Sequence, residues 1–329
     1  MLVRFTPQVS LADIGRLTER CDAVGVQYKL IQEMGTSYLA IESVDQAKID
    51  ELYYQFRQLP IVEALVKTGQ SEDPLRGLEP VKFKCGSKRV GKDSSPTVFA
   101  GSPYLESQKQ AVALASELAT IGVHVYKAGA YRPTETLAAK ALYERTGSIV
   151  REITMHSGIP STGTVEALGP KTALALLEAC ALHVPGRFLF ETNLRDQLAH
   201  LNVPVLLERH PQASTELWLE AARGIVTGGN PNVALVEPGR RDDGDIEIDL
   251  VSVARLVGTC PLPLIVYPSR AARSAAEVRR ISRGALAAGA AGIMIDVHPN
   301  PLEGLLVEGY CLSLAEFGEM YQSLRPLLV

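Results

Sequence analysis

Hydrophobic positions along the chain change period several times, and each change predicts an element. Over the first 70 residues, LVRF reads as a strand and apolar residues then recur at helical spacing from about Leu11 to Val24. VQYKLIQ and YLAIES alternate with period two, Asp45 to Leu59 returns to helical spacing, and IVEALV closes the series. This order predicts a small βαββαβ unit of ferredoxin-like type over residues 1–70. The stretch TGQSEDPLRGLEPVKFKCGSKRVGKDSS is rich in Gly, Pro, Ser and charge and has weak periodicity. It predicts a linker or exposed hairpin over residues 71–95, with the domain boundary there.

From Thr97 to Val329 short apolar strands alternate with amphipathic helices: TVFAG, VHVYKAG, a polar STGTV, RFLFE, PVLLER, NVALVEP, PLIVYP and GIMIDVHP. Eight such units predict an α/β fold, a (β/α)8 TIM barrel over residues 96–329. The alternative, an open doubly wound sheet, lacks a GxGxxG after the first strand. In a barrel, side chains from all strands converge at the C-terminal strand ends. The first strand leads into Ala100 to Glu106, the second into Lys127 to Pro133, and the fourth begins near Gly186-Arg187. The fifth ends in Glu208-Arg209, the sixth in Glu237 to Arg241, the seventh in Tyr267 to Arg270 and the eighth in Asp296 to Pro299.

Composition narrows what these ends can do. The 329 residues are 46% hydrophobic and carry 33 Lys+Arg against 37 Asp+Glu, a net charge of −4. That excludes disorder and lacks the basic surplus that nucleic-acid phosphates require. No apolar run approaches the roughly 20 residues of a membrane span, and MLVRFTPQVS is no signal peptide, so the chain reads as cytoplasmic with no membrane partner. Five widely spaced cysteines with no CxxC argue against a disulfide framework or zinc knuckle. Against this background, Lys127, Arg132, Arg187, Arg209 and Arg270 share the strand-end register and predict a site for a small anionic metabolite. Arg279, Arg280 and Arg283, on the seventh helix, read as a solvated face. Among the six histidines, His298 is the candidate general acid or base, with Glu208 and Glu237 as further proton handlers. His124 is placed inside a strand, His183 at a helix end and Trp218 in the core. Ser-His-Asp order, a Walker loop and a nucleophile elbow are absent.

The segments FAGSPYLES, YKAGAYRP, VPVLLERH, GNPNVALVEPG, LPLIVYPSRAA and AAGAAGIMIDVHPNP resemble the type Iβ DAHP synthases (3-deoxy-7-phosphoheptulonate synthases), relatives of ketodeoxyoctulosonate phosphate synthase. The resemblance implies a barrel that condenses phosphoenolpyruvate with erythrose 4-phosphate at the entry to the shikimate pathway and aromatic amino acid biosynthesis. It also implies a divalent metal (Mn, Zn or Fe), an N-terminal ferredoxin-like regulatory domain, and a homo-oligomer, dimer or tetramer. Carried over position by position, the family's metal-binding cysteine falls on Pro103 and its histidine on Arg270. Its glutamate falls on Asp296 and its final aspartate on Val307, with Glu308 adjacent. Proline has no ligand atom in its side chain and arginine is a permanent cation, so Asp296 and Glu308 are the residual metal-binding candidates.

The phosphate positions change as well. Lys127 stands for Arg and Arg132 for Lys, Arg187 and Arg209 match, Glu208 replaces a lysine that contacts phosphoenolpyruvate, and Pro238 replaces an arginine. Arg132-Pro133-Thr134-Glu135 replaces Lys-Pro-Arg-Thr. Together these predict a DAHP-synthase-like barrel that binds a small phosphorylated or carboxylated metabolite without a cofactor, its metal-dependent catalysis lost or redirected. Arg270 is expected to sit in the metal's place, paired with Asp296 and with Glu308. The alternatives are an active 3-deoxy-7-phosphoheptulonate synthase and a non-catalytic regulatory partner of one.

Overall fold

The computed structural model describes residues 1–33, 35–43, 45–66, 75, 78–131, 139–165, 178–241, 244–304 and 309–329. The chain divides into two compact units, Met1–Asp73 with Ser214–Glu220, and Pro74–Ala213 with Ala221–Val329. In the first, β1 (Leu2–Phe5), α1 (Leu11–Val24), β2 (Gln27–Glu33), β3 (Thr36–Glu42), α2 (Gln46–Phe56) and β4 (Val62–Val66) follow the predicted order. The strands form an antiparallel sheet in the order β2-β3-β1-β4, the ferredoxin-like arrangement. Local chemistry sets the ends of α1. Ser10 and Asp13 form a reciprocal capping box, and Gly25 closes the helix in the left-handed region at φ 68°. Between these caps Ile14, Leu17 and Cys21 fall on one face and pack with Val3, Phe5, Leu39 and Leu52.

The second unit opens with a hairpin, β5 (Lys82–Cys85) and β6 (Lys88–Gly91), followed by β7 (Thr97–Gly101), β8 (Tyr104–Leu105), β9 (Val125–Tyr126) and β10 (Ala130–Tyr131). The strands continue with β11 (Thr162–Thr164), β12 (Ala181–Val184), β13 (Val205–Glu208), β14 (Val233–Glu237), β15 (Arg240–Arg241), β16 (Ile246–Glu247), β17 (Leu264–Val266) and β18 (Gly292–Asp296). Eight of them pair in parallel in the order β11-β12-β13-β14-β17-β18-β7-β9, and a parallel bridge between Tyr126 and Ser161 links the two ends of the sheet into a barrel. Short β8 and β10 extend the mouth beside α3 (Gln108–Ile121). Phe83, Cys85 and Val90 of the hairpin join Phe99, Leu206 and Met294 in one buried cluster. Val81 N–H bonds to Pro261 just before β17, so the hairpin plugs the N-terminal end of the barrel and leaves the opposite end for chemistry.

The fourth strand departs from expectation. It is Ala181–Val184, wholly buried, and RFLFE is not a strand: Gly186–Phe188 is a 3₁₀ turn after it. Pro185 interrupts the run, and buried Phe188, Leu189 and Phe190 fill space from that turn. A short apolar run does not by itself distinguish a strand from a buried turn. Arg187 therefore follows strand four instead of opening it, and His183 lies within the strand instead of at a helix end. Trp218 is buried, as a core residue. Among the described residues no helix is long and apolar enough to cross a membrane.

Candidate functional site

The mouth is assembled from residues at or just past strand ends. Lys127 follows β9, Tyr267 and Arg270 follow β17, and Asp296 ends β18. Two glycines permit the close approach. A Cβ on Gly101 would lie 2.4 Å from the Lys127 carbonyl oxygen, and one on Gly129 would lie 2.0 Å from that of Pro103. Lys127 N–H donates to Ala100 O at 2.9 Å, which fixes the backbone from which its side chain projects.

Asp296 Oδ1 accepts from Lys127 Nζ at 2.5 Å and from the Tyr267 hydroxyl at 2.8 Å, and the Asp296 N–H donates to Ser269 Oγ at 2.9 Å. Lys127 is 3% exposed and Asp296 1%, so the pair is shielded from solvent. Lys127 Nζ and Arg270 Cζ each lie 5.2 Å from the centroid of the Tyr267 ring. Burial, reinforced by Asp296, pushes the Tyr267 hydroxyl well above its ordinary range and keeps it a donor. Burial alone would lower the Arg270 guanidinium, but Tyr267, Glu208 and Asp296 outweigh it and hold the charge in place.

A second cluster adjoins the first. His183 Nε2 lies 2.9 Å from Glu208 Oε2, and Gly186 N–H donates to Glu208 Oε1 at 3.3 Å. Burial would raise the Glu208 carboxyl, yet the Arg270 charge, the His183 contact and the Gly186 N–H together bring it down to about 2. Burial lowers His183, and the positive charges of Lys127 and Arg270 add to that more than Glu208 can reverse. The imidazole is thus neutral and donates from Nε2 to an ionised Glu208. In a third cluster, Glu237 Oε1 accepts from Arg209 Nη2 at 2.5 Å and from Gly239 N–H at 2.7 Å. Arg187 Cζ rests 4.8 Å from the Phe188 ring centroid.

The structure brings Lys127, Arg270, Glu208 and Asp296 into one electrostatic network and sets Arg209 with Glu237 beside it. Arg132, Val307 and Glu308 lie outside the described residues, so the expected Arg270–Glu308 pair does too. The expected Arg270–Asp296 pair is replaced: Asp296 is neutralised by Lys127, and Arg270 Nε is buried without a hydrogen-bond partner. The reason is topological. β9 and β18 flank β7, which ends on Gly101 and has no side chain between them, whereas Arg270 leaves its 3₁₀ turn over the Tyr267 ring.

His298 faces elsewhere. Its Nδ1 accepts from Asn300 N–H at 3.1 Å, and its Nε2 lies 2.8 Å from the Gln110 side-chain nitrogen and 3.5 Å from Glu106 Oε1. It belongs to the start of α3. His124 precedes β9 and accepts from Val98 N–H; burial and Lys88 pull it down to about 4. The residue that sequence reasoning missed is His183. Its signal was the apolar tetrad Ala-Leu-His-Val stopped by Pro185.

A divalent ion needs oxygen, nitrogen or sulfur donors carrying compensating negative charge. Here Pro103 supplies none, Arg270 supplies a cation, and Asp296 already balances Lys127. Among the described residues there is no cluster of three or more His, Cys, Asp or Glu able to hold a metal. The donor set of these residues does not fit the ion.

Fold and mouth together define a (β/α)8 barrel of aldolase type. The chain matches the DAHP synthetase I family over residues 73–327, and it belongs to that family. It is 25% identical over 335 residues to a phospho-2-dehydro-3-deoxyheptonate aldolase of Thermotoga maritima, covering 99% of this chain and 97% of that protein. It is 25% identical over 236 residues to a 2-dehydro-3-deoxyphosphooctonate aldolase of Nitrobacter hamburgensis, covering 66% and 82% respectively. The crystal structure of the Thermotoga maritima phospho-2-dehydro-3-deoxyheptonate aldolase (DAHP synthase) matches with a TM-score of 0.71 at 24% identity, over 99% of this chain and 96% of that one, a likeness of fold. A truncated form of 3-deoxy-D-arabino-heptulosonate 7-phosphate synthase from the same organism matches at 0.68 and 27% identity, over 76% and 92%.

Proposed function

We propose that the barrel mouth binds a small phosphorylated or carboxylated metabolite of shikimate-type metabolism through Lys127, Arg187, Arg209 and Arg270, with Arg132 as a further cation. The family's metal-dependent route is lost or redirected in this reading. The observation that carries it is the buried Lys127–Asp296 pair beside Arg270, at the positions where the family resemblance puts ligands. A divalent ion there faces two fixed cations. At about 4 Å and an effective dielectric of ~20, each unit of like charge costs about 4 kcal/mol, more than a single shared carboxylate offsets. Bound anions instead gain from the same cations. His183, held neutral, and Glu208, held ionised, provide a donor–acceptor pair in the mouth, with Glu237 as a further proton-handling group, while His298 is turned toward α3.

Thermal-shift titration with phosphoenolpyruvate, erythrose 4-phosphate, chorismate, prephenate, aromatic amino acids and inorganic phosphate tests the reading. A mouth ligand at ~100 times its Kd adds about 2.7 kcal/mol of stability. The shift should shrink in Arg209→Ala and Arg270→Ala. If no anion raises the melting temperature, the reading fails. The second reading, a working DAHP synthase, draws support from a match spanning nearly the full length of both chains. Turnover of phosphoenolpyruvate with erythrose 4-phosphate that depends on added manganese would decide for it.

A further inference from the structure

The first compact unit holds a cavity of about 480 Å³, the size of a small-molecule cleft, and every residue lining it belongs to Met1–Asp73 or Ser214–Glu220. None of the mouth residues is among its walls. We propose that this cavity binds a small amphipathic amine, a primary ammonium carried on a hydrocarbon body. Such a site is independent of anion binding in the mouth.

Its walls supply the place for the hydrocarbon. The chain leaves α1 through Gly25 in the left-handed region, and Val26 N–H bonds back to Cys21 O at 3.1 Å, which turns the buried Val26 side chain inward. Ile41, near the end of β3, is buried as well. Leu217, in the first turn of the helix Thr215–Thr227, adds a third buried apolar wall. A ligand whose body meets Val26, Ile41 and Leu217 gains by leaving water.

The charges around it select the head group. Glu42 and Glu216 line the cavity and are exposed, so both stay ionised toward a ligand. The Met1 amine also lines it, donates to Ile41 O at 2.7 Å, and is lowered to about 6 by burial against the pull of Glu42 and Glu220. Near neutral pH that amine is mostly uncharged and does not cancel the acids, whose field it feels. Two positive features oppose them. Lys48 Nζ lies 3.6 Å from where a Cβ on Gly25 would stand, and the helix at Thr215 presents its positive end, which Glu216 in its first turn offsets. The balance of Glu42, Glu216 and Glu220 against Lys48 is negative. An ammonium is attracted there, a carboxylate is repelled, and a neutral head group gains nothing beyond burial.

The experiment is calorimetric titration of the full chain at neutral pH with three probes that share one hydrocarbon body: hexylamine, hexan-1-ol and hexanoate. Hexylamine should bind at a single site and about fivefold or more tighter than hexan-1-ol, the contribution of one well-placed exposed ion pair, with hexanoate weakest. Glu42→Gln and Glu216→Gln, both at exposed positions, should each weaken hexylamine severalfold and leave hexan-1-ol unchanged. Lys48→Ala should strengthen it. Ser43→Trp, which fills the cavity from its lining, should abolish binding of all three probes; if that variant fails to fold, the two glutamine variants still decide. Equal affinity for hexylamine and hexan-1-ol, or tighter binding of hexanoate, overturns the amine assignment. Hexylamine binding that both glutamine variants leave unchanged places the amine elsewhere on the chain and overturns the site, and so does the absence of heat with every probe. Loss of anion binding in the mouth alters none of these outcomes, so the two readings fail separately.

Discussion

At the scale of single residues, the site is governed by charges that have left water and must compensate one another. Lys127 and Asp296 are almost fully buried, so removing one partner strands the other. Asp296→Ala should therefore destabilise the protein by about 3–5 kcal/mol, read from urea unfolding, because the ammonium keeps its desolvation cost and loses its counter-ion. Buried groups with lowered values, His124 away from the mouth and His183 and Glu208 within it, should shape the acid limb of stability. His124 in the fold titrates at about 4, below its unfolded value of 6.5, and His183 is lowered in the same direction. The unfolded chain binds protons first, so stability falls as pH drops below 6.5, and the His124 share is complete near 4. Glu208 is lowered to about 2 from 4.5, so its contribution is full above 4.5 and disappears as pH falls through 2. Melting temperature against pH should show loss in these two stages, and His124→Asn should flatten the first. Of these residues, Lys127, Glu208 and Asp296 were legible as strand-end charges, whereas His183 was not. Its protonation state comes from burial, Glu208 and Arg270, which meet it only in three dimensions.

At the scale of elements, the chain's periodicity was informative wherever one face of a segment is buried. The helices and strands of the first 66 residues follow the hydrophobic alternation because β1, β3, β4 and the two helices each pack one face on a single core, while β2 buries only Ile31. In the barrel the strands are buried on both faces and leave only short apolar runs, which is why RFLFE reads as a strand when Ala181–Val184 is the one that forms. The stretch before the barrel, rich in Gly, Pro, Ser and charge, reads as a linker or an exposed hairpin; the hairpin forms, but it is not exposed, since it places Phe83 and Val90 in the barrel core. Phe83→Ala should cost about 3–5 kcal/mol by the loss of buried surface and the cavity left behind, measured by denaturant unfolding. An exposed linker would tolerate the same change. Gly129→Ala should perturb the mouth more than its size suggests. Its Cβ would fall 2.0 Å from the Pro103 carbonyl oxygen, forcing apart the segments that follow β9 and β7, where Lys127 is set.

At the scale of the whole molecule, a net charge of −4 does not preclude the anion-binding mouth proposed above. Anion binding there should weaken as salt rises, but less than for surface sites, because buried charges are poorly screened beyond the roughly 8 Å Debye length at physiological ionic strength. Titrations of phosphoenolpyruvate at rising potassium chloride check this. Chelator should leave the melting temperature unchanged, and elemental analysis of the purified protein should find no stoichiometric divalent metal; coordinated manganese or zinc would defeat the charge-based account.

Sequence alone determined the fold class and the family, because hydrophobic period and strand-end motifs are local properties written along the chain. It also raised the expectation that a proline and an arginine stand at two of the family's metal positions, since ligand chemistry belongs to residue type. Only the tertiary structure decided which charges neutralise which. Lys127 and Asp296 lie 169 positions apart in the chain, and their pairing depends on the order of β18, β7 and β9 around the barrel. Electrostatic partnership follows distance and burial in space, and neither is encoded in the spacing of residues along the backbone.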